Sequence, residues 1–158
     1  MIIGIDGGLN GAITVLDDDK KIVEKQVMPT IKGSGNKKFF DLNNLKTFLK
    51  KYSNARVILE KAQPHFRDGK KQAFKTGYGF GALEGLLTGL DMSYVLVSPK
   101  EWQRHIFKGM GKDTKTNSIL YCKKRFPKED WTATKRSKKE HDGLTDSACI
   151  AIYGGNNL

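Results

Sequence analysis

Ile2 to Ile5 is a short run of mostly β-branched apolar residues and reads as a strand. Asp6-Gly7-Gly8 then turns the chain, Gly11 to Leu16 reads as a second strand, and Asp17-Asp18-Asp19-Lys20 is a polar turn, so the first twenty positions predict a β-hairpin. Lys21 to Met28 alternates as a third strand, whereas Lys32 to Lys38, with two glycines and three lysines, reads as a mobile loop. Asp41 is placed to cap a helix over which Leu42, Leu45, Phe48, Leu49 and Tyr52 recur at helical spacing. Arg56 to Glu60 has the pattern of a buried strand, Val57-Ile58-Leu59, and ends on an acid.

Lys61 to Gly77 mixes cations with aromatic rings and reads as an exposed loop. From Gly77 to Leu90, Gly79, Gly81, Ala82 and Gly85 interleave with Leu83, Leu86 and Leu87, predicting a helix whose small face admits a close neighbour. Tyr94 to Val97 is a fifth strand. Ser98-Pro99 opens a helical turn through Trp102, Thr114 begins a helix that Pro127 stops, and Asp142 to Tyr153 is a closing helix with Gly154-Gly155 at its end. Cys122 and Cys149 lie on two of these helices without the spacing of a zinc site and read as small core residues. This order predicts an α/β chain with a mixed five-stranded sheet flanked by helices. With no repeat or linker, residues 1–158 are expected to form a single domain.

Charge narrows the partners. Lys and Arg number 28 against 17 Asp and Glu, a formal net charge of +11 over 158 residues. Such a surplus favours polyanions, because each neutralised phosphate releases condensed counterions; the alternative is a basic but indifferent surface. No stretch approaches the roughly 20 apolar residues of a membrane span, and MIIGIDGG does not read as a secretion signal. The expectation is a soluble intracellular protein with no membrane partner.

Against that basic background, four acids occupy unusual positions. Asp6 ends an apolar strand where another hydrophobic residue would continue the core; taken alone, it is equally an Asp that starts a glycine turn. Glu60 repeats the pattern directly after Val57-Ile58-Leu59. Asp142 and Asp146 are four residues apart on a helix, so both face the same way and repel unless a cation lies between them. The alternative makes Asp142 an N-cap and Asp146 a partner of the helix dipole. Jointly, the four point to a site for hard divalent ions such as Mg²⁺, which take oxygen ligands. Two such ions roughly 3.5 to 4 Å apart can activate water and stabilise a leaving oxygen in phosphodiester cleavage.

Ile3-Gly4-Ile5-Asp6-Gly7-Gly8-Leu9-Asn10-Gly11-Ala12 resembles the first strand and turn of RuvC-type Holliday-junction resolvases of the RNase H-like superfamily, with Gly7 where those proteins usually have proline. Val57-Ile58-Leu59-Glu60 resembles their strand ending in Glu. His141-Asp142-Gly143-Leu144-Thr145-Asp146-Ser147-Ala148 resembles their terminal acidic helix, particularly in phage-type members, with the two Asp four residues apart rather than the frequent three. Gly79-Phe80-Gly81, Val97-Ser98-Pro99 with Trp102, Thr114-Lys115 and Phe126-Pro127 extend the resemblance over nearly the whole chain. It implies an RNase H-like fold, with Asp6, Glu60, Asp142 and Asp146 as catalytic metal ligands. It also implies a homodimer that nicks four-way DNA junctions in pairs with Mg²⁺ or Mn²⁺, and suggests a phage-encoded protein in a bacterial cytoplasm. His141 is a further candidate for metal binding or acid-base chemistry, or else a capping residue.

Candidate nucleic-acid contacts follow from charge and aromaticity. His65, Phe66, Arg67, Lys70, Lys71, Phe74 and Lys75 would meet phosphates and stack on an unpaired base, or else form a solvated loop with one ring tucked inward. The resemblance implies that Lys112 and Lys115 approach the scissile phosphate; a generic backbone contact is the equal alternative. Lys135, Arg136, Lys138 and Lys139 would grip the backbone rather than read sequence. Gly79, Gly81 and Gly85 suit packing within the monomer, whereas the resemblance implies that their helix lies at a dimer interface.

Three other readings stand beside the resolvase. An actin-like ATPase or sugar kinase also opens with strand, Asp and glycine turn, but needs a second nucleotide-binding half that 158 residues do not supply. A flap or other branched-DNA nuclease, or an RNA/DNA hybrid nuclease, uses the same carboxylates, and a catalytically silent nucleic-acid-binding module would keep the fold for structural purposes, against which the presence of all four carboxylates counts.

Overall fold

Alternation along the central strands sorts side chains onto two faces of one sheet, and each face builds its own core. The computed structural model describes residues 1–63 and 69–157. Strands β1 (Ile2–Asp6), β2 (Ala12–Leu16) and β3 (Ile22–Val27) form an antiparallel meander. After a separate two-stranded hairpin, β4 (Thr30–Lys32) and β5 (Lys38–Phe40), and helix α1 (Leu42–Lys50), strand β6 (Arg56–Glu60) returns parallel to β1. Helix α2 (Lys70–Gly89) leads to β7 (Tyr94–Val97), parallel to β6, giving the order β3-β2-β1-β6-β7. Helices α3 (Pro99–Ile106), α4 (Thr114–Arg125) and α5 (Asp142–Asn157) complete the chain.

Ile3, Ile5, Ile13, Val15, Val57 and Leu59 point to one face and pack with Leu45, Phe48 and Leu49 of α1 and Leu83 and Leu87 of α2. Ala12, Leu16 and Ile58 point to the other and pack with Trp102, Cys122 and the apolar residues of α5. The predicted mixed five-stranded sheet flanked by helices is therefore the observed one. Asp41 caps α1 as expected, accepting from the Asn44 amide at 3.0 Å. Cys122 and Cys149 are buried free thiols with sulfurs 3.8 Å apart. Among the described residues no helix is long and apolar enough to cross a membrane.

Three expectations about local structure are corrected. Residues 32–38 are not simply a loop: Thr30–Lys32 and Lys38–Phe40 pair in register around a 3-10 turn at Ser34–Asn36, with Gly35 at φ 66°. Helix α2 begins at Lys70, not Gly77, because a mixed polar and basic sequence is no obstacle to helix in a solvent-facing turn. Gly154 and Gly155 do not stop α5, which runs to Asn157. A Cβ on Gly154 would lie 2.3 Å from Ile58 Cγ1, so glycine there permits close approach to the sheet.

Candidate active site

The parallel pairing of β1 with β6, Ile5 opposite Leu59, brings Asp6 and Glu60 to neighbouring carboxyl ends of the sheet. Helix α5 reaches them by shedding side-chain volume. A Cβ on Gly4 would fall 2.2 Å from the Ser147 carbonyl oxygen and 2.5 Å from the Ala151 nitrogen. One on Gly143 would fall 2.7 Å from the backbone of Gly11. Ser147 Oγ also shares a buried hydrogen bond of 2.8 Å with Thr14 Oγ1 of β2. This contact along α5 seats Asp142, in its first turn, against the turn that follows Asp6.

Asp6, Glu60 and Asp142 line a cleft of about 700 Å³, bounded also by Asn10, Phe40, Gln72, Lys75, Thr76 and Lys115. Asp146 lies one turn further along α5, outside the cleft lining. Burial raises the Asp6 carboxyl to about 6, opposed by the Gly8 amide at 3.3 Å and reinforced by the charge of Asp142. Glu60 is raised to about 7 by burial and then by the charges of Asp6 and Asp146, with the Trp102 hydrogen bond pulling the other way. Asp146 is raised to about 7 by burial; Ser118 and Lys115 lower it, while Asp6 and Asp142 raise it. Three carboxyls thus resist ionising together, each partly because of another.

Relief of that repulsion is what a hard cation supplies, and an oxygen-only donor set is what Mg²⁺ or Mn²⁺ takes. The residues fit such an ion in chemistry. Among the described residues, however, no three acidic, His or Cys side chains already converge at metal-binding distance. The carboxylates sense one another across the cleft without meeting at a common point. Lys115 Nζ, 3.5 Å from Asp142 Oδ2, is the cation nearest to them in the ion pairs described.

Two side chains refine the picture. Trp102, fully buried on α3, donates its indole N–H to Glu60 Oε2 at 2.6 Å and so fixes one oxygen of that carboxylate. Its place after the Ser98 cap is visible in sequence, but its bond to Glu60 is not. His141 is the residue that caps α5: its carbonyl accepts from the Leu144 amide at 3.0 Å, and the same amide approaches Nδ1 at 3.3 Å. Burial lowers its pKa and the charge of Lys38 adds to that, against Asp142. Asp142 is therefore the first helical residue and not the N-cap.

The expected nucleic-acid residues divide by location. His65, Phe66 and Arg67 lie outside the described residues. Lys70, Lys71, Phe74 and Lys75 occupy the first turns of α2 rather than a loop, and Lys75 reaches the cleft lining. Phe74 is 73% exposed and stacks on Tyr78, centroids 6.2 Å apart, so it is not tucked into the core. Lys112 borders a different cleft from Lys115. Lys135, Arg136, Lys138 and Lys139 are exposed on a loop closed by the bridge between Thr132 and Glu140. Gly79 packs within the monomer, where its Cβ would meet Phe40 at 2.6 Å, whereas Gly81 and Gly85 face open space. The Gly143, Ser147, Ala151 and Gly154 series that seats α5 is visible in the sequence as small residues at helical spacing, of which Gly154 alone reads there as part of a stop.

No protein-family model matches the chain, and no curated protein matches it. Solved structures do. RuvC of Thermus thermophilus superposes with a TM-score of 0.59 at 15% identity, covering 96% of this chain and 91% of that one. The same protein in complex with a Holliday junction substrate gives 0.62 at 14% identity, covering 96% and 90%. A fowlpox virus resolvase in complex with Holliday junction DNA covers 100% of both chains at 15% identity, with a TM-score of 0.47. The likeness to RuvC, spanning nearly all of both chains, is one of architecture: the chain has an RNase H-like fold.

Proposed function

We propose that the chain is a metal-dependent endodeoxyribonuclease that resolves four-way DNA junctions, acting as a single nuclease domain over residues 1–158 with Asp6, Glu60, Asp142 and Asp146 as its metal-binding and catalytic carboxylates. The observation that carries the reading is the gathering of these acids from β1, β6 and α5 at one end of the sheet, in a chain of net charge +11. The fold shared with RuvC and the junction bound in one of those structures support DNA as substrate.

Bound Mg²⁺ or Mn²⁺, two ions in the fullest form of the site, would polarise the scissile phosphate, activate water and stabilise the leaving oxygen. The chain's own contribution is positional. Asp6 and Glu60 are fixed by the sheet, and Trp102 holds Oε2 of Glu60. Lys115 balances Asp142 and offers a cation toward a phosphate. Lys70, Lys71 and Lys75, together with Lys135, Arg136, Lys138 and Lys139, supply backbone affinity, and exposed Phe74 supplies a face for an unpaired base. His65, Phe66 and Arg67 belong to the same proposed contact. Paired nicks need two copies, and the open side of α2 around Gly81 and Gly85 suits a homodimer. A bacterial cytoplasm, as host of a phage gene, is the setting this reading assigns.

The test is cleavage of a labelled four-way junction beside linear duplex, flap and RNA/DNA hybrid, each with Mg²⁺, Mn²⁺ or EDTA. Symmetric metal-dependent nicks confined to the junction are expected. Equal cutting of flaps would redefine the enzyme as a general debranching nuclease, and inertness toward all four would leave a silent binding module.

A further inference from the structure

Beside the acidic cleft lies a second one, of about 530 Å³ and opposite character. Gln63 forms one wall, Lys100, Gln103 and Arg104 of α3 another, and Lys112 with Thr114 at the start of α4 a third. Among the described residues no Asp or Glu lines it. Lys100, Arg104 and Lys112 are all exposed, and none enters an ion pair among the described residues. The first residues of α3 and α4, Pro99 and Thr114, both border it, adding the positive ends of two helix dipoles. Ser98 and Asp113 already accept from the amides of those first turns, so the binding groups on offer are the side chains.

The two clefts share walls. Ala62 lines the acidic one and the next residue, Gln63, lines the basic one; Lys115 lines the acidic one and Thr114 the basic one. A polymer of regularly spaced phosphates is the ligand whose chemistry matches a carboxylate cleft that takes a cation and a cationic cleft directly beside it. A single small anion would use only the second.

We propose that the basic cleft holds the sugar-phosphate backbone of the substrate strand next to the phosphodiester being cut, with Lys100, Arg104 and Lys112 neutralising its phosphates. This assignment rests on the nuclease reading for the identity of the strand. Lys100 and Arg104 act in affinity and register, while the carboxylates act in chemistry.

The experiment is fluorescence anisotropy of a labelled four-way junction in EDTA, titrated with wild type, K100Q/R104Q/K112Q and, as a charge-matched control, K21Q/K46Q/K50Q, over a range of KCl. Each lost phosphate contact lowers the steepness of log affinity against log salt by about 0.9. The cleft variant is expected to lose about 2 to 3 from that slope and the control less than about 1, with R104Q alone losing about 1. Equal slope losses in the cleft and control variants, or none in either, overturn the proposal. Failure of the nuclease reading shows separately, as absence of metal-dependent cleavage by wild type, and leaves the slope comparison readable.

Discussion

Replacing Asp146 with asparagine should stabilise the metal-free protein at alkaline pH while abolishing its activity. In the folded chain the carboxyl is raised from 3.8 to about 7, first by burial and also by the charges of Asp6 and Asp142. A raised folded pKa means that the folded state holds its proton more tightly than the unfolded one. The associated stability is thus fully present below about pH 4 and is lost as pH climbs through about 7. A shift of roughly three units corresponds to about 4 kcal/mol by pH 8. Asparagine keeps an acceptor for Ser118 and never ionises, so the variant avoids that loss. In a chain of this size the gain is worth on the order of 10 °C in Tm. Differential scanning calorimetry in EDTA at pH 4 and pH 8 reads it directly: near-equal Tm values at the lower pH, and the variant well above wild type at the higher. Adding Mg²⁺ at pH 8 should narrow the gap by raising wild type more than the variant, about 2.7 kcal/mol for wild type at a hundredfold excess over Kd. A variant that melts lower than wild type at both pH values would refute the argument, making Asp146 a structural residue.

Asp6→Asn should lower cleavage by about a hundredfold to a thousandfold while leaving junction affinity in EDTA unchanged by gel shift, since an electrostatic centre of this kind carries about 3 to 4 kcal/mol of barrier lowering. Trp102→Phe keeps the buried ring but removes the bond to Glu60. A hydrogen bond to a charged group is worth about 1.5 to 3 kcal/mol, so the Mg²⁺ concentration for half-maximal cleavage should rise roughly tenfold or more. Trp131→Phe is the control, because that buried indole N–H has no partner among the described residues and its loss should leave the Mg²⁺ requirement alone. Gly143→Ala forces a Cβ against the Gly11 backbone, which cannot rotate away as a side chain can; a loss of about 1 to 3 kcal/mol in denaturant melts and a larger loss of cleavage than of stability are expected. Because Asp6, Glu60 and Asp146 must shed protons to take a cation, cleavage at limiting Mg²⁺ should climb with pH between about 6 and 7 and then level off, and a rate that falls over that interval would contradict the assignment.

The strands could be read from sequence because each is short, apolar and bounded by turn residues, and their alternation is the same alternation that separates the two cores. The acids stood out for a related reason: at Asp6 and Glu60 the pattern of a buried strand is broken by a charge. What local pattern could not supply was the third dimension of α5. The glycines at 154 and 155 carry the same letters whether they end a helix or let it lie against Ile58, and only the neighbouring strand decides between them. Likewise the basic residues before Gly77 fit loop or helix equally well until Lys70 is seen to open α2. Trp102 was apparent as an apolar residue, but its bond to Glu60 crosses from α3 to β6 and leaves no mark in the order of residues.

From Gly143 to Gly154 nearly every residue of α5 is buried, and the same helix presents Asp142 and Asp146. The amide of Asp146 should therefore exchange with solvent deuterium only when the whole molecule opens, without a cheaper local route. Whatever give the protein has for differently shaped substrates must come from the rim, in the exposed first turns of α2 and the lysine-rich loop before α5, while the acids keep fixed places.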